Sequence, residues 1–294
     1  MSAYDEAEII VGEIAAKVRN QDAQYGDFAV LYRTNAQSRI FEEKFLMANI
    51  PYKIIGGVNF YARKEIKDLL AYLKTIDNAR DDIAVRRILN VPKRGIGATT
   101  INRVQEYATE QNVSFYEALS EISKIPGGGR AAAKIESFVT LIRTLRTQED
   151  YFSVQELLQE VIDRTGYVKE LEAEGTEEAR ARIENIDELI NKAASYEEDA
   201  QEPSLEGFLS EVALVADIDS MDDDAGRVIL MTLHSAKGLE FPKVYLVGME
   251  DGLFPGMMSI MSGDKTEMEE ERRLCYVGIT RAKKSWSSQH PDSV

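Results

Sequence analysis

The stretch VILMTLHSAKGLEF, residues 228–241, decides the fold of this chain. Its first five residues are apolar or β-branched, which is typical of a strand buried in a parallel sheet. The residues that follow place hydroxyl, imidazole, ammonium, glycine and carboxylate groups close together. Ligands of open α/β sheets bind beyond the carboxyl ends of the strands. The stretch therefore predicts an α/β domain with a candidate site at the end of this strand, and an ordinary capped loop is the alternative.

The same strand pattern recurs near both ends of the chain. Short apolar runs lie at residues 27–32, 50–57 and 243–248. A helix is predicted after the first run, and another over residues 5–19, because isoleucine and valine recur there near helical spacing. Strand, helix and strand in succession indicate α/β architecture.

The middle of the chain has a different pattern. Amphipathic helices are predicted between about residues 65 and 216, with proline and glycine at the breaks and no convincing strand. Their expected ranges are 65–76, 82–89, 99–110, 114–121, 130–147, 153–165, 176–198 and 204–216. The economical interpretation is one α/β domain interrupted by a mostly α-helical inserted subdomain.

Composition narrows the class of protein. The chain is 44% hydrophobic, enough for a packed core, and has no apolar stretch approaching the ~20 residues that a bilayer span needs. Its single cysteine, Cys275, excludes an internal disulfide and a cysteine-based zinc site, and we assign no metal ligands. The first residues lack the basic and apolar regions of a signal peptide. We therefore expect a soluble, cytoplasmic protein without a membrane partner.

The net charge of −16 argues against general polyanion binding, but it hides a basic island at residues 86–103. The island contains no acidic residue and five cations: Arg86, Arg87, Lys93, Arg94 and Arg103. Within it, KRGIGATT (93–100) places glycines and hydroxyls before a predicted helix, where backbone N–H groups can face a phosphate. A tight turn would explain the glycines alone, and the five cations favour DNA. The expected contacts are Lys93, Arg94, Gly95, Ile96, Gly97 and Thr99.

Acidic residues collect elsewhere, at 170–202, 217–224 and 267–271, and we interpret these runs as solvated surface and loop. The segment EEERRLCYVGITRA (269–282) begins as an acidic helix and ends with an arginine, Arg281. The planar fork of an arginine suits a phosphate. Taken alone, however, Arg281 would more often be a surface cation.

Several segments together resemble superfamily 1 DNA helicases of the UvrD/PcrA/Rep family, most closely its PcrA branch. Residues 232–241 are similar to the fifth motif of that family and residues 276–282 to the sixth. The similarity also includes residues 28–35, 56–68 and 91–97. It extends over nearly everything from residue 5 to residue 283, in the family's order.

The resemblance implies a RecA-like (P-loop NTPase-type) second motor domain, formed by residues 1–62 and 221–284. The family's helical subdomain would be inserted at residues 63–220. Members of the family move 3′ to 5′ along single-stranded DNA and unwind duplex. They use ATP and magnesium in a cleft between two RecA-like domains.

The resemblance also implies roles for individual residues. Glu240 would hold the ATP ribose, Gly238 would shape that wall, and Arg281 would be the catalytic arginine finger at the γ-phosphate. The residues implied along the single strand are Arg33, Asn35 and His234. The "GIG" element, residues 95–97, would grip the duplex backbone as a helix-hairpin-helix does.

The sequence also departs from the family pattern. It has neither a G-x-x-x-x-G-K-[ST] phosphate loop nor an Asp-Glu pair after a strand to hold magnesium. We therefore expect the C-terminal part of a helicase with about half of an ATP site, inactive as an ATPase alone and without a bound cofactor. The expected partners are single-stranded DNA, duplex DNA and the missing first motor domain. The parent protein would act in DNA repair and replication at the bacterial nucleoid.

Two alternatives stay open. A non-enzymatic DNA-binding or protein-interaction module would show no ATP turnover. A helicase-nuclease of the AddA/RecB type would need a nuclease domain beyond the sixth motif, and too few residues follow Ala282 in this sequence.

The last residues do not fit the family pattern. After Ala282 these helicases continue with acidic residues into an apolar strand, whereas KKSWSSQHPDSV (283–294) has no strand pattern. A G lost after codon 282 would explain it, because possible codons for residues 283–290 then restore to Glu-Glu-Glu-Leu-Val-Phe-Thr-Ala. We expect residues 285–294 to be non-native or disordered and the sheet to lack its last strand.

Overall fold

The computed structural model describes residues 2–129, 131–218 and 226–288, without the side chains of residues 217 and 218. Two compact units divide the chain. The sheet unit comprises Met1–Ala62 and Val215–Val294, and the helical unit comprises Arg63–Leu214. The sequence predicted these crossings at 62/63 and 220/221. Residues 219–225, around the second predicted crossing, lie outside the described residues.

Each element is numbered in chain order. The elements are α1 (Ala3–Arg19), β1 (Phe28–Tyr32), α2 (Ser38–Met47), β2 (Tyr52–Ile55), α3 (Lys64–Asp77), α4 (Asp82–Ile88), α5 (Ala98–Gln111), α6 (Phe115–Ser120), α7 (Ala132–Gln148), α8 (Val154–Thr165), α9 (Tyr167–Glu174), α10 (Glu177–Asp199), α11 (Leu205–Ile218), β3 (Val228–Thr232), β4 (Phe241–Leu246), α12 (Met257–Met261), α13 (Lys265–Ile279) and β5 (Ala282–Ser288).

In the described part of the chain, five strands form one sheet in the order β2-β3-β1-β4-β5, with every neighbouring pair parallel. β1 is central, and Val30 aligns with Leu230 of β3 and Tyr245 of β4. All five residues of β1 are buried. The predicted fold class, a parallel α/β sheet interrupted by a helical insertion, is confirmed.

The two faces of the sheet are covered by different helices. Because side chains alternate along a strand, Phe28 and Val30 pack on one face with α1 and α2. Ala29 and Leu31 pack on the other face, where Leu274 of α13 joins them. Burial on both faces is the reason that β1 has a continuous apolar sequence.

The edge strand β5 corrects one expectation. Residues 282–288 pair with β4 in parallel, with Trp286 opposite Val244 and Ser288 opposite Leu246. The prediction that the sheet lacks its last strand is therefore wrong. Ladder hydrogen bonds come from the backbone, and most side chains of this edge strand are exposed, so a polar sequence is tolerated. Residues 289–294 lie outside the described part.

The helical unit is built around α3, which contacts α4, α7, α8 and α10. The sequence missed α9, because Gly166 ends α8 with a positive φ of 70° and only Tyr167 and Leu171 of the next eight residues are buried. Within the described residues, no helix has both the length and the apolar composition needed to cross a bilayer.

Candidate functional site

The carboxyl ends of β1 and β3 bring two predicted residues together. Tyr32 aligns with Thr232, and the Leu233 amide donates to the Tyr32 carbonyl. Arg33 and His234, which follow these strands, therefore lie at the same edge of the sheet. Burial lowers the pKa of His234, and the positive charge of Arg33 lowers it further.

The end of β2 joins this edge. Gly56 has a φ of 79°, and a side chain there would clash with Ser235 of the loop after β3. A Cβ on Gly57 would stand 3.4 Å from the Asn35 Oδ1 atom. Asn35 thus faces a glycine pair that leaves space at the sheet edge. The predicted residues Arg33, Asn35 and His234 are assembled by three neighbouring strands.

Arg33 has a partner that the sequence did not reveal. Its Nε atom donates to both carboxylate oxygens of Glu271 at 3.2 Å, and its Nη2 atom donates to Oε1 at 2.9 Å. The Glu271 side chain is only 8% exposed, so interpreting the whole 267–271 run as solvated surface is wrong for this residue. Leu274 and Gly278, also buried, lie three and seven positions along α13. This spacing is the signal that Glu271 lies on the inner face.

The second predicted cluster lies where α13 ends. Arg281 Nη1 donates to the Leu239 carbonyl at 3.0 Å, and the Phe241 amide donates to the Arg281 carbonyl at 2.8 Å. Arg281 is thereby held beside Glu240. Gly238 has a φ of 89°, a conformation that favours glycine, and its Cβ position is open. The three residues predicted for the nucleotide are adjacent.

Two features limit what this second cluster can do alone. Glu240 is exposed and lies 3.4 Å from the Lys283 ammonium group, and Arg281 is only partly exposed. The cluster offers a carboxylate and a guanidinium group, which suit a ribose and a phosphate. It contains no glycine loop that surrounds phosphates, and no group of three or more metal-ligating acids, histidines or cysteines occurs in the described ranges.

Helix α13 connects the two clusters within the sheet unit. Glu271 binds Arg33, and Arg281 follows the helix ten positions later, about 15 Å along its axis. Gly278 packs against two side chains, that of Leu233 just after β3 and that of Leu246 in β4, since a Cβ at this position would clash with both. A displacement of α13 would move both Arg281 and the partner of Arg33.

The basic island is only partly available to a ligand. Arg94 Nη1 donates to the carbonyls of Ile88 and Val91 at 2.8 and 3.0 Å, and Nη2 donates to the Tyr72 hydroxyl at 2.6 Å. The guanidinium also stacks over the Phe138 ring. The expected role of Arg94 as a DNA contact therefore needs correction, because its donors organise the loop itself.

Most other cations of the island are engaged in the same way. Arg87 pairs with the buried Asp68 at 2.7 Å, Arg86 lies over the Phe115 ring, and Arg103 donates to the Gly127 carbonyl. Lys93 is exposed. The DNA contact was predicted from a count of five cations, and this count overstated the positive charge that the island presents to solvent.

The backbone of the island keeps its predicted geometry. Asn90 Oδ1 accepts from the amides of Arg94 and Ile96. The Ile96 side chain is buried, so Ile96 packs inside the loop and its side chain is not the DNA contact that the sequence predicted. α5 begins at Ala98, with Gly97 at the N-cap and no side-chain cap. The first amides of a helix have no intrahelical acceptor. The Thr100 and Ile101 amides donate to the Gly97 carbonyl, so the amides of Ala98 and the exposed Thr99 are the ones that remain for a ligand.

Two glycine-containing loops, residues 95–97 and residues 126–129, are each held by a side chain from a neighbouring helix. Lys134 of α7 donates to the Gly95 carbonyl at 3.2 Å, while Arg103 of α5 donates to the Gly127 carbonyl at 2.8 Å. Both glycines have positive φ, 67° and 75°. The sequence marked residues 126–129 only as a break between helices. The reciprocal contacts fix the start of α5 relative to α7.

Comparison with known proteins adds an independent observation. A family profile described as "UvrD-like helicase C-terminal domain" matches residues 2–287. The chain is 48% identical over 295 aligned positions to "ATP-dependent DNA helicase PcrA" of Staphylococcus aureus strain Mu50, covering the whole chain and 40% of that relative. It is also 48% identical to the protein of the same name from Staphylococcus epidermidis strain ATCC 35984, over 96% of the chain and 39% of the relative. The chain thus spans about two fifths of these relatives.

Proposed function

Since the chain belongs to the UvrD-like helicase C-terminal domain family, we propose that it is the C-terminal part of an ATP-dependent 3′ to 5′ DNA helicase. The observation that carries the proposal is the pair of clusters joined by α13. One cluster, formed by Arg33, Asn35 and His234, has the donors needed to contact a single strand, and we name it the single-strand track. The other, formed by Gly238, Glu240 and Arg281, has a carboxylate and a guanidinium group for a nucleotide, and we name it the nucleotide wall. A motor needs both sites on one rigid element so that nucleotide binding can move the strand.

The nucleotide wall supplies half of an ATP site. When bound, ATP provides the phosphoryl group whose transfer to water drives movement, and magnesium neutralises the phosphates. Glu240 accepts from the ribose hydroxyls, and Gly238 lets the backbone approach the sugar. In this structure the Arg281 guanidinium group donates to the oxygens of Val277, Leu239 and Thr280, and it exchanges these internal acceptors for the negative charge that develops at the γ-phosphate. The phosphate loop and the magnesium carboxylate belong to the first motor domain of the parent protein.

The single-strand track lies at the carboxyl edge of the sheet. Asn35 and His234 offer neutral donors and acceptors, because burial and Arg33 disfavour a charged imidazole. Arg33 adds positive charge, held in place by Glu271. Such a mixture contacts phosphate and sugar without reading sequence, as a translocating protein requires.

The helical unit carries the contact to duplex DNA. The amides at the start of α5, with Lys93, Gly95, Gly97 and Thr99, take one backbone phosphate in the manner of an anion at a helix N-terminus. The parent helicase then acts on DNA in repair and replication, at the bacterial nucleoid in the cytoplasm.

Binding of oligo-dT tests the track. The double substitution Asn35→Ala plus His234→Ala should weaken binding of a fluorescein-labelled dT16 at least fivefold at low salt. The control Lys93→Ala should leave dT16 binding within twofold, because Lys93 lies in the duplex contact. Equal dT16 affinity in the wild type and the double variant would contradict the proposed track.

A further inference from the structure

A cavity of about 470 Å³ opens on the helical unit, away from the glycine loops. Three arginines from two parts of the chain line it: Arg80 in the turn between α3 and α4, and Arg143 and Arg146 on α7. Arg143 and Arg146 are three positions apart, so they project from the same face of the helix. All three side chains are exposed. We name this feature the arginine pocket.

Among the residues that the structure describes, no carboxylate forms an ion pair with the three guanidinium groups, but Glu117 interacts electrostatically with Arg80, and Asp77 and Glu149 do so with Arg146. The ion pairs of this unit use other cations, such as Lys124 with Glu121 and Arg87 with Asp68. Arg143 lies beside the hydroxyl of the buried Tyr116, which is neutral. In a chain with a net charge of −16, three such arginines at one cavity concentrate positive charge where an anionic group can enter.

The carboxylates at the rim are committed to other groups. Glu117 accepts from the backbone amide and the hydroxyl of Ser114 and so caps α6. Glu121 accepts from the Lys124 ammonium group at 2.7 Å and from the Tyr107 hydroxyl at 2.7 Å. Glu117 also interacts with the charge of Arg80, so these acids offset the charge of the arginines only in part. They surround a positive cavity with a negative edge.

This charge pattern distinguishes between ligands. A duplex is a stiff array of closely spaced phosphates, so the rim carboxylates would repel the phosphates held outside the cavity. A flexible acidic peptide can place one or two carboxylates in the cavity and turn the others away from the rim, where its backbone amides can donate to the remaining lone pairs of Glu117 and Glu121. The planar forks of arginine match carboxylates in a bidentate manner. We infer that the arginine pocket binds an acidic peptide segment of a partner protein.

The position of the pocket lets this partner and DNA bind together. Arg143 and Arg146 follow Lys134, which braces the glycine loop, by nine and twelve positions along α7. At the rise of an α-helix this is a separation of about 14 to 18 Å. The pocket is therefore distinct from the proposed duplex contact. The inference does not depend on the chain being part of a helicase.

Fluorescence anisotropy with labelled hexaglutamate tests the inference. The pocket variant is Arg80→Gln, Arg143→Gln plus Arg146→Gln. The matched control, which also loses three exposed cations, is Lys284→Gln, Arg272→Gln plus Arg273→Gln. We expect the pocket variant to weaken hexaglutamate binding at least tenfold, about the value of one charge-assisted hydrogen bond, and the control to remain within twofold of the wild type.

Two outcomes would overturn the inference. Equal losses in both variants would mean that the peptide responds to overall charge. A pocket variant that loses affinity for a 20-base-pair duplex, but not for hexaglutamate, would make the cavity a nucleic-acid site. If the triple variant unfolds, Arg143→Gln alone should still weaken hexaglutamate binding at least threefold, and no change would count against the pocket.

Discussion

Individual charged residues hold this fold through partners that are distant in sequence. Glu271 is the clearest case, because one buried carboxylate accepts three hydrogen bonds from Arg33, 238 positions away. Removing one partner of such a pair leaves the other charge without compensation. Glu271 therefore contributes to the stability of the fold through its contact with Arg33, and not through its place in an acidic run.

The first residue-scale prediction is that Glu271→Gln destabilises the protein by about 1–3 kcal/mol in urea unfolding. The neighbouring Glu270→Gln is the control, because Glu270 forms only an exposed pair with Arg273 and should change stability by less than about 0.5 kcal/mol. Similar losses for both substitutions would show that the Arg33 contact contributes no special stability.

The second residue-scale prediction concerns Glu6 of α1, which is buried and accepts from the Gly248 amide. Burial raises the pKa of Glu6 to about 7. The folded state therefore holds this proton more tightly than the unfolded state, and the free energy of unfolding falls as pH rises from about 4.5 to 7. Well above pH 7, Glu6 is ionised in both the folded and the unfolded state, so the free energy of unfolding falls no further from this group.

Glu6→Gln keeps an oxygen for the Gly248 amide and removes the ionisation. We expect this variant to be more stable than the wild type at pH 8, by up to about 3 kcal/mol, and to lose that advantage at pH 4.5. Glu8→Gln, an exposed neighbour, should show no such trend. Urea unfolding across this pH range measures the difference. A stability difference that is the same at pH 4.5 and pH 8 would contradict the assignment.

At the scale of elements, two neighbours in the loop before α5 have different roles, although the sequence assigned both to DNA. Lys93 is exposed and can contact DNA, whereas Arg94 holds the loop together. Lys93→Ala should leave stability unchanged and lower the salt slope of duplex binding by about one unit, the value for one phosphate contact. Arg94→Ala should cost about 2–4 kcal/mol of stability, because several carbonyls and the Tyr72 hydroxyl lose their donor. Filter binding and thermal unfolding measure the two effects. A stable Arg94→Ala protein would disprove the structural role.

The edge strand β5 carries a further element-scale prediction. Trp286, Ser287 and Ser288 align with the buried Val244, Tyr245 and Leu246 of β4. The frame-restored substitutions Trp286→Leu, Ser287→Val plus Ser288→Phe should stabilise the protein by about 1–2 kcal/mol, because the changes at 287 and 288 supply apolar groups beside the buried Tyr245 and Leu246 of β4. Lys283→Glu plus Lys284→Glu is the control and should give no gain. Equal or lower stability of the triple variant would indicate that the present strand suits this sheet.

Sequence patterns predicted the elements better than the individual contacts. The apolar run of β1 and the glycines at 95 and 238 have local causes, namely burial on both faces of the sheet and a positive φ. The contacts of the half-buried Arg94 and of the buried Glu271 depend on Tyr72, Phe138 and Arg33, which no local pattern connects to them. β5 was missed because backbone pairing at a sheet edge does not require an apolar sequence.

At the scale of the whole molecule, the central claim is that Arg281 completes an ATP site whose other half lies on another part of the parent protein. The most direct measurement exchanges segments. Residues 2–282 of this chain replace the matching segment of the Staphylococcus aureus relative, and DNA-stimulated ATP turnover is measured. The exchanged protein should hydrolyse ATP, and the isolated chain should not.

In the exchanged protein, Arg281→Ala should reduce turnover about a thousandfold or more, the usual contribution of an arginine finger. Arg272→Ala, an exposed arginine earlier on α13, should leave turnover within twofold. Full turnover in the Arg281→Ala protein, or robust hydrolysis by the isolated chain, would contradict the account.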